Sequence, residues 1–390
     1  MYKIQTLNKM AATSAGFFPA SYAVSDTETA PDAILVRSAK LLDEQFNPEL
    51  LCIARAGAGT NNIPSKRCAE EGIVVFNTPG ANAEAVKELA IAAMLLSGRD
   101  ILGGIEWVKS IAGTPDVAAQ VEKGKSAFVG PELMGKTLGV IGLGAIGIKL
   151  ANAAQALGMG VMGLDPFLSP AAAHRLSPAV CLADDISELY KHCDYISIHV
   201  PYIADGANAT HHYVNSETIA QMKRGVVILN LARAELVNDD DIIAALADGH
   251  VAKYVTDFPN EKTADAKGII AIPHLGASSP ESEERCAFMA AAQTIDYVEN
   301  GNIVNSVNLP ALTAPRPSGT SRVCVIFKGA PDAVAALTSA VSVNSTLAGS
   351  ASAMRGEVGY AVLDVTAPAA GLKSAVEAVS GVIRVRIIEA

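Results

Sequence analysis

Short apolar runs rich in valine and isoleucine recur along the chain, and stretches with helical spacing separate them. Strands that are apolar over their whole length are typical of parallel sheets with helices on both faces. The pattern therefore predicts an α/β fold built from doubly wound parallel sheets. The predicted strands span residues 33–38, 50–56, 73–77, 138–144, 160–165, 194–200, 226–232, 252–257 and 269–274.

A long helical stretch near residues 82–112 divides these strands into two series, which indicates two α/β domains. We expect a first domain over residues 1–98 and a second over 99–279. A helix predicted at 280–299 could cross back to the first domain, so residues 280–307 would complete it. The other predicted helices span residues 82–97, 145–157, 215–223 and 238–248.

The last part of the chain has a different pattern. Three prolines fall within NLPALTAPRPSGT, which predicts a linker at 308–319 and a separate domain at 320–390. The element order predicted there is βαββαβ, the ferredoxin-like arrangement of an α+β domain. Its elements are a strand at 322–329, a helix at 332–342, a hairpin of 347–354 and 358–365, a helix at 370–379 and a strand at 382–389.

Composition excludes several classes of partner. The net charge is −10 and no basic stripe offsets it, which argues against nucleic acid. No run of 18 apolar residues is present, so we expect no membrane span. The six cysteines have no metal-ligand spacing, which favours free thiols in a reducing cytoplasm and no metal site. A small molecule remains the natural partner.

A glycine motif follows one predicted strand and precedes a helix. In GVIGLGAIG, Gly142 would make the tight turn, Gly144 would let the backbone approach a pyrophosphate, and Gly147 would let helix and strand pack closely. Asp165 ends the next strand and can accept hydrogen bonds from ribose hydroxyls. The two residues after it, proline and phenylalanine, offer no positive charge to a 2′-phosphate. The motif therefore predicts NAD rather than NADP.

Polar residues with catalytic potential end three later strands: Arg233, then Asp257 with Glu261 four residues on, then His274. The carboxyl ends of parallel strands lie at one edge of a sheet, where ligands bind. Such an arginine can hold a substrate carboxylate, and a histidine can move the proton of a hydroxyl. A carboxylate beside the histidine would favour its protonated form. We therefore expect a carbonyl–alcohol oxidoreductase.

These stretches resemble the D-isomer-specific 2-hydroxyacid dehydrogenases over nearly the whole chain. The similar segments are GLGAIG with Asp165, ISIHVP, LNLARAELV, TDFPNE and PHLGASSPESEERCA. The resemblance implies two Rossmann-like domains flanking a cleft, residues 1–98 with 280–307 binding substrate and 99–279 binding NAD. It implies a catalytic trio of Arg233, Glu261 and His274. It also implies cofactor contacts at Gly142, Gly144, Ala145, Ile146, Gly147, Asp165, Leu231, Ala232, Arg233, Asp257, His274, Gly276 and Ala277.

Two departures from the family pattern concern the catalytic residues. The stretch from Asp257 to Glu261 is one residue shorter than usual, which makes Glu261 the least secure member of the trio. The arginine is followed by Ala234 where the family usually has glycine. Alanine is small, so we expect activity to be retained.

Within the family the chain most resembles the members that oxidise 3-phosphoglycerate, the first step of serine synthesis. The similar segments are VRS, ARAGAGTNNI, FNTPGANAEAVKELAIAAML and the C-terminal domain, which is similar to an ACT domain. Residues expected to bind the substrate are Arg37, Arg55, Ala56, Gly57 and Asn77, with backbone N–H groups of the glycine loop forming an anion nest. The alternative is that the two arginines only form surface ion pairs.

Other interpretations stay open. The chain could reduce a different 2-keto acid, such as glyoxylate or hydroxypyruvate, or it could be a non-enzymatic NAD(H)-sensing scaffold. A homodimer or homotetramer is expected. His199, inside an apolar strand, is expected to be structural. In ACT domains that bind serine, an asparagine follows the first strand; the stretch Phe327–Asp332 lacks it, so tight serine binding is not expected.

Overall fold

A computed structural model of the chain describes residues 1–8, 10, 16–329 and 333–390. The chain forms two compact units. Unit 1 comprises Met1–Asn82 and Pro280–Ala390, and unit 2 comprises Ala83–Ser279. The division falls before the helix Ala83–Gly98, whereas the sequence placed it after residue 98.

Packing explains why this helix belongs to unit 2. Val86 and Ala90 are buried in the same apolar cluster as Leu138 of the unit 2 sheet. At the start of the helix, Glu84 forms an ion pair of 2.7 Å with Lys149. The apolar face and the charged end of the helix therefore both have their partners inside unit 2.

Unit 2 contains a seven-stranded parallel sheet with the order β12-β11-β10-β9-β6-β7-β8. The order reverses between β6 and β9, and this switch point is where ligands bind in open α/β sheets. Six of these strands were predicted from the sequence, and β8 at the edge of the sheet was not. The strands are β6 Thr137–Ile141, β7 Gly160–Leu164, β8 Cys181–Leu182, β9 Tyr195–Ile198, β10 Val226–Asn230, β11 Val251–Thr256 and β12 Ile269–Ala271.

Helices cover both faces of this sheet, and two apolar clusters lie between them and the strands. Local polar residues fix several helix starts: the Asn238 side chain, for example, accepts from the N–H groups of Asp240 and Asp241. The helices are Ala83–Gly98, Ile101–Ser110, Val117–Gly124, Ala145–Ala156, Pro170–Ala173, Ile186–His192, Ser216–Gln221 and Asp239–Ala247, with 3₁₀ turns at Lys125–Phe128 and Ala234–Leu236.

Unit 1 contains a five-stranded parallel sheet with the order β2-β1-β3-β4-β5. Its first two strands were not predicted, because their polar residues interrupt the apolar run that marked the others. The helices Ser65–Glu70 and Pro280–Asn300 also belong to this unit. The strands are β1 Tyr2–Thr6, β2 Tyr22–Ser25, β3 Ala33–Val36, β4 Cys52–Arg55 and β5 Val74–Phe76.

The C-terminal part of unit 1 has the predicted βαββαβ order, with an antiparallel sheet β14-β15-β13-β16. Together with the two parallel sheets, this confirms the predicted fold class. Of the stretch compared with serine-binding ACT domains, residues 330–332 lie outside the described part of the chain. The elements are β13 Ser321–Lys328, helix Ala333–Asn344, β14 Thr346–Arg355, β15 Val358–Thr366, helix Leu372–Glu377 and β16 Val382–Ile388.

The two central strands of the C-terminal sheet, β13 and β15, are buried on both faces. Alternate side chains of a strand point to opposite faces. On β13, Val323 and Val325 pack with the two helices of this part, whereas Cys324 and Ile326 join the cluster that also holds Ile4 of β1. One apolar core therefore extends from the N-terminal strands of unit 1 into its C-terminal sheet.

A buried ion pair reinforces this arrangement. Arg322 is fully buried and binds Asp364 through two hydrogen bonds of 2.7 and 2.9 Å. Its remaining nitrogen, Nη1, donates to the carbonyl oxygens of Asn300 and Ala314. A buried charge needs such complete pairing.

Among the described helices, none is long and apolar enough to cross a membrane.

Candidate active site

The glycine motif forms the turn between β6 and the helix Ala145–Ala156. Gly142 has a φ of 93°, and a Cβ there would lie 2.8 Å from the carbonyl oxygen of His199. At Gly147 a Cβ would lie 2.0 Å from the carbonyl oxygen of Gly142. At Gly144 no described atom lies within 4 Å of the Cβ position. Two glycines thus permit close packing, and the middle one faces open space.

Asp165, directly after β7, is hydrogen-bonded to this turn. One carboxylate oxygen accepts from the N–H of Leu143 at 2.9 Å, and the other accepts from the N–H of Phe167 at 2.9 Å. An ionised carboxylate offers about four acceptor positions. Asp165 can therefore hold the glycine turn and still accept hydrogen bonds from two hydroxyls of a ligand.

These residues fit the diphosphate and ribose of a dinucleotide. The helix Ala145–Ala156 begins at Gly144, and no described side chain caps it. Its first N–H groups, including those of Ala145 and Ile146, are therefore available to an anion. The open space at Gly144 lies at the same helix end. NAD bound here would have its phosphates at the helix and its adenosine ribose at Asp165.

Arg233 lies in a turn that a buried asparagine organises. Asn230, the last residue of β10, is fully buried, and its Oδ1 accepts from the N–H groups of Ala232 and Arg233 at 3.2 and 3.4 Å. Its Nδ2 donates to the carbonyl oxygen of Arg233 at 2.8 Å. Sequence reasoning missed Asn230, although a polar residue ending an apolar strand was a usable signal. The Arg233 side chain is exposed, and Leu231 before it is buried.

The strand register brings Arg233, Asp257 and His274 to the same edge of the sheet. Asn230 of β10 pairs with Thr256 of β11, and Thr256 pairs with Ala271 of β12. Each of the three residues follows one of these strands by one to three positions. The ring of His274 contacts the ring of Phe258, with 4.5 Å between centroids. The predicted arginine and histidine therefore lie on one rim with a carboxylate, Asp257, between them in chain order.

Asp257 is the buried member of this group. Its exposed fraction is 1%, its carboxylate accepts from the N–H of Gly276, and its Oδ1 has no partner among the described residues. Burial raises the pKa of this carboxyl, while the positive charges of His274 and Arg233 oppose the rise. Ala277, another predicted cofactor contact, follows Gly276 directly.

Glu261 is an exposed residue in the turn after β11. The sequence placed it beside His274 as the orienting carboxylate. In the structure its side chain is exposed and makes no hydrogen bond or ion pair with any residue of the described ranges. The turn after β11 is held instead by Asn260, whose side chain accepts from the N–H groups of Lys262 and Thr263.

His199 has the environment expected of a structural residue. Its Nε2 lies 2.8 Å from the hydroxyl oxygen of Ser197 on the preceding strand. Burial lowers the pKa of His199 to about 4, so the ring is neutral at pH 7. A neutral, hydrogen-bonded ring contributes to packing beneath the glycine turn.

The residues expected to bind substrate follow β3, β4 and β5 in unit 1. Arg37 forms an ion pair of 2.7 Å with Glu283, and both side chains are about 40% exposed or more. The N–H groups of residues 37–39 all donate to Oδ1 of Asn8. Asn8 was not predicted, and its positive φ of 70° was not visible in the sequence. The alternative of a surface ion pair therefore describes the Arg37 side chain in this structure.

Arg55 and Asn77 brace the glycine loop rather than projecting freely. Nε of Arg55 donates to the carbonyl oxygen of Arg37 at 2.9 Å, and the Arg55 guanidinium also binds the carbonyl oxygen of Gly59. Nδ2 of Asn77 donates to the carbonyl oxygen of Ala58 at 2.6 Å. These contacts give the loop after β4 a fixed conformation.

The expected anion nest in this loop is partly occupied by protein groups. The N–H of Gly57 donates to the hydroxyl of Thr78 at 2.7 Å, and the N–H of Ala56 donates to the carbonyl oxygen of Val36. These two N–H groups are not free for an anion, which corrects that part of the prediction. The N–H of Gly57 is occupied because the hydroxyl of Thr78, which follows β5, accepts its hydrogen bond. The sequence did not reveal this contact.

Metal ligands do not cluster in the part of the chain that the structure describes. It contains no group of three or more histidine, cysteine, aspartate or glutamate side chains that could hold an ion. All six cysteines are free thiols, and five of them are buried.

Several known proteins resemble this chain in both sequence and fold. Residues 91–277 match the NAD-binding domain of the D-isomer specific 2-hydroxyacid dehydrogenases. The D-3-phosphoglycerate dehydrogenase of Haemophilus influenzae is 30% identical over 359 residues, which cover 87% of this chain and 82% of that protein. The chain belongs to the D-isomer specific 2-hydroxyacid dehydrogenase family. The match also confirms NAD as the cofactor of unit 2.

Other members of the family differ in length. The D-3-phosphoglycerate dehydrogenase of Methanocaldococcus jannaschii is 35% identical over 295 residues, which cover 72% of this chain and 52% of that protein. The chain spans about half the length of several such curated relatives. An NAD⁺-bound 3-phosphoglycerate dehydrogenase of Entamoeba histolytica has a TM-score of 0.61 and 26% identity, covering 80% of this chain and 99% of that chain.

Proposed function

We propose that this protein oxidises 3-phospho-D-glycerate to 3-phosphooxypyruvate with NAD. The observation that carries the proposal is the common rim of Arg233, Asp257 and His274 beside the glycine turn of an NAD-binding domain. The choice of substrate is supported by relatives that are named D-3-phosphoglycerate dehydrogenase.

Each residue of the rim has a distinct task in this proposal. The guanidinium of Arg233 binds the substrate carboxylate and polarises the oxygen on C2. The imidazole of His274 takes the proton of the C2 hydroxyl as the C2 hydride leaves. NAD, when bound, accepts that hydride. A carboxylate beside His274 stabilises the imidazolium that forms.

The substrate phosphate requires a second cationic group. Arg37 is the candidate, because its ion pair with Glu283 is exposed and exposed pairs contribute only about 0–1 kcal/mol. A phosphate dianion can therefore compete with the glutamate for the guanidinium. Arg55 and Asn77 would act by keeping the neighbouring loop in shape, since their donors already bind carbonyl oxygens.

A second candidate is oxidation or reduction of an unphosphorylated 2-hydroxy acid. It is favoured by the pairing of Arg37 with Glu283 and by the occupied N–H groups of Ala56 and Gly57, which leave fewer free donors for a phosphate. Both candidates share the chemistry at Arg233 and His274. They differ only in whether unit 1 must recognise a phosphate group on the substrate.

The deciding experiment compares turnover of 3-phosphoglycerate with that of D-glycerate and glycolate, with NAD or NADP as acceptor. The proposal expects kcat/KM to be highest for 3-phosphoglycerate with NAD, because Asp165 would repel a 2′-phosphate. A kcat/KM for glycerate equal to that for 3-phosphoglycerate would support the second candidate. Binding of NADH without turnover of any 2-hydroxy acid would instead indicate a cofactor-sensing protein.

A further inference from the structure

Three buried polar side chains lie at the ends of β10 and β11. Asn230 and Thr256 are partners in the β10–β11 register, and Tyr254 precedes Thr256 by two positions, so all three point to the same face of the sheet. None of them is more than 2% exposed, and the Tyr254 ring belongs to the apolar cluster that also holds Ile228. Polar groups in such surroundings cost free energy unless they are hydrogen-bonded.

Asn230 connects the turn of residues 231–233, the Arg233 turn, to β11. Its Oδ1 accepts from the N–H groups of Ala232 and Arg233, and its Nδ2 donates to the carbonyl oxygen of Arg233 at 2.8 Å. Nδ2 also donates to the phenol oxygen of Tyr254 at 3.3 Å. A side-chain amide has two donor and two acceptor positions, so all four positions of Asn230 are used.

Tyr254 extends these contacts towards His274. Its phenol is also hydrogen-bonded to the hydroxyl of Thr256, and burial raises the pKa of Tyr254 to about 12, so the phenol keeps its proton at pH 7. The hydroxyl oxygen of Thr256 accepts from the N–H of Phe258 at 3.1 Å. The Phe258 ring contacts the His274 ring, with 4.5 Å between centroids. A continuous series of contacts therefore runs from the Arg233 turn to His274.

We propose that Tyr254 is a positioning residue that holds the Arg233 turn and the Phe258–His274 contact in a fixed relation. A buried network in which every hydrogen bond is made rigidifies its surroundings, whereas apolar side chains of the same shape can be nearly as favourable for stability. The gain from these polar groups is therefore a fixed geometry. This role of Tyr254 rests on the proposed function of Arg233 and His274, but the coupling of the two segments is measurable without substrate or cofactor.

Amide hydrogen exchange in cofactor-free protein tests the coupling. Tyr254→Phe keeps the ring and removes only the phenol oxygen that joins the two segments. Exchange in the Arg233 turn and at the N–H of Phe258 should become about fivefold faster or more, as expected when one net hydrogen bond is lost. Unchanged exchange in both segments would overturn the proposal.

Tyr190→Phe is the matched control. Tyr190 is another buried tyrosine of unit 2, and its phenol is hydrogen-bonded to Thr218 on the helix Ser216–Gln221. This variant loses the same kind of contact away from the rim, so exchange in the Arg233 turn and at Phe258 should stay as in the unsubstituted protein. Equal acceleration in Tyr190→Phe and Tyr254→Phe would mean general destabilisation and would also overturn the proposal.

Thr256→Val approaches the network from its other end and covers the case in which Tyr254→Phe does not fold. It removes the acceptor of the Phe258 N–H and keeps a β-branched side chain of similar shape. Exchange in the Arg233 turn should also become faster, although Thr256 makes no direct hydrogen bond to that turn. In the Tyr254→Phe background the same substitution should add nothing there. An effect confined to Phe258 would contradict coupling through Tyr254.

Activity distinguishes positioning of the reacting groups from a purely structural role. Tyr254→Phe should lower kcat/KM for 3-phosphoglycerate about tenfold or more, because small displacements of positioned groups are costly to the rate. NADH affinity should not change, since the glycine turn lies on other strands, and Tyr190→Phe should retain full activity. Normal kcat/KM in Tyr254→Phe would show that Tyr254 serves the fold alone. If the exchange changes are found but the unsubstituted protein oxidises no 2-hydroxy acid, the coupling stands and the proposed function fails.

Discussion

The guanidinium of Arg386 lies over the ring of Tyr297, with 4.6 Å between its central carbon and the ring centroid. The same guanidinium donates to the carbonyl oxygens of Tyr297 and Val298 at 2.6 and 2.7 Å. These carbonyls belong to the last turn of the helix Pro280–Asn300, where backbone donors run out: Tyr297 still accepts from the N–H of Gly301, and the carbonyl of Val298 depends on Arg386. Strand β16 therefore caps the helix that returns the chain to unit 1.

Arg386→Met should destabilise unit 1. The substitution keeps an apolar side chain over Tyr297 but leaves the buried carbonyl oxygen of Val298 without a donor, at about 1–3 kcal/mol, whereas that of Tyr297 keeps the N–H of Gly301. We expect a lower urea midpoint for unit 1, followed by its tyrosine fluorescence. The matched control is Arg355→Met, because exposed Arg355 donates to a single carbonyl, that of Ser306, and should cost less than about 0.5 kcal/mol. Equal losses in the two variants would contradict the capping role.

His274→Ala should remove proton transfer and leave cofactor binding nearly intact. Loss of a positioned acid or base lowers the rate about 10²–10⁴-fold. The checks are kcat for 3-phosphoglycerate oxidation and NADH affinity by fluorescence. His174→Ala, at an exposed histidine elsewhere in unit 2, serves as the control and should match the unsubstituted protein. Near-normal turnover in His274→Ala would remove this residue from the mechanism.

Alanine at two positions of the glycine motif should have different effects. At Gly147 the new Cβ would lie 2.0 Å from the carbonyl oxygen of Gly142, so we expect unfolding to become easier by about 1–3 kcal/mol or more. At Gly144 the space is open, so Gly144→Ala should fold normally and bind NADH more weakly. Thermal unfolding and NADH titration distinguish the two. Tight NADH binding by Gly144→Ala would show that the pyrophosphate does not approach this residue.

Arg37→Ala should raise KM for 3-phosphoglycerate about tenfold or more, since a hydrogen bond to a charged group contributes about 1.5–3 kcal/mol. Glu283→Gln removes the competing partner of Arg37 and should lower KM or leave it unchanged. D-glycerate provides the comparison substrate. If neither variant alters KM for either substrate, Arg37 serves the ion pair alone.

Acid should destabilise unit 2 partly through His199. Burial lowers its pKa to about 4 in the folded protein, while an unfolded histidine titrates near 6.5. The folded state therefore binds fewer protons than the unfolded state, and stability is lost as pH falls from about 6.5 through about 4. His199→Gln cannot titrate, so its urea midpoint should fall less between pH 7.5 and 4.5. A fall equal to that of the unsubstituted protein would mean that His199 is solvated and titrates normally.

Local patterns were sufficient to predict most of the architecture. Continuous apolar runs such as Val226–Asn230 and the glycine motif carry their structural meaning within a few residues. The short strand Tyr2–Thr6 was missed because it alternates polar and apolar residues and its pairing with β3 is not a local property.

The site was less predictable because its geometry depends on distant partners. The pairing of Arg37 with Glu283, and of Gly57 with Thr78, joins segments that fold together only in the complete unit. The spacing of TDFPNE suggested Glu261 as the histidine partner, but burial distinguishes the two carboxylates, and burial depends on the surrounding sheet. Chain order alone could not have shown that Asp257 is buried and Glu261 exposed.

The C-terminal domain shares an apolar core with the rest of unit 1, and this limits how recombination could transfer the domain to another protein. Cys324, Ile326, Tyr360 and Val362 lie on the face of the C-terminal sheet that packs with the rest of unit 1. Recombination at the proline-rich linker would transfer this domain with that apolar face uncovered. A recipient without a complementary surface would gain an aggregation-prone segment. Exchange of the domain between enzymes therefore requires matching changes in the helix Pro280–Asn300 and in the N-terminal sheet.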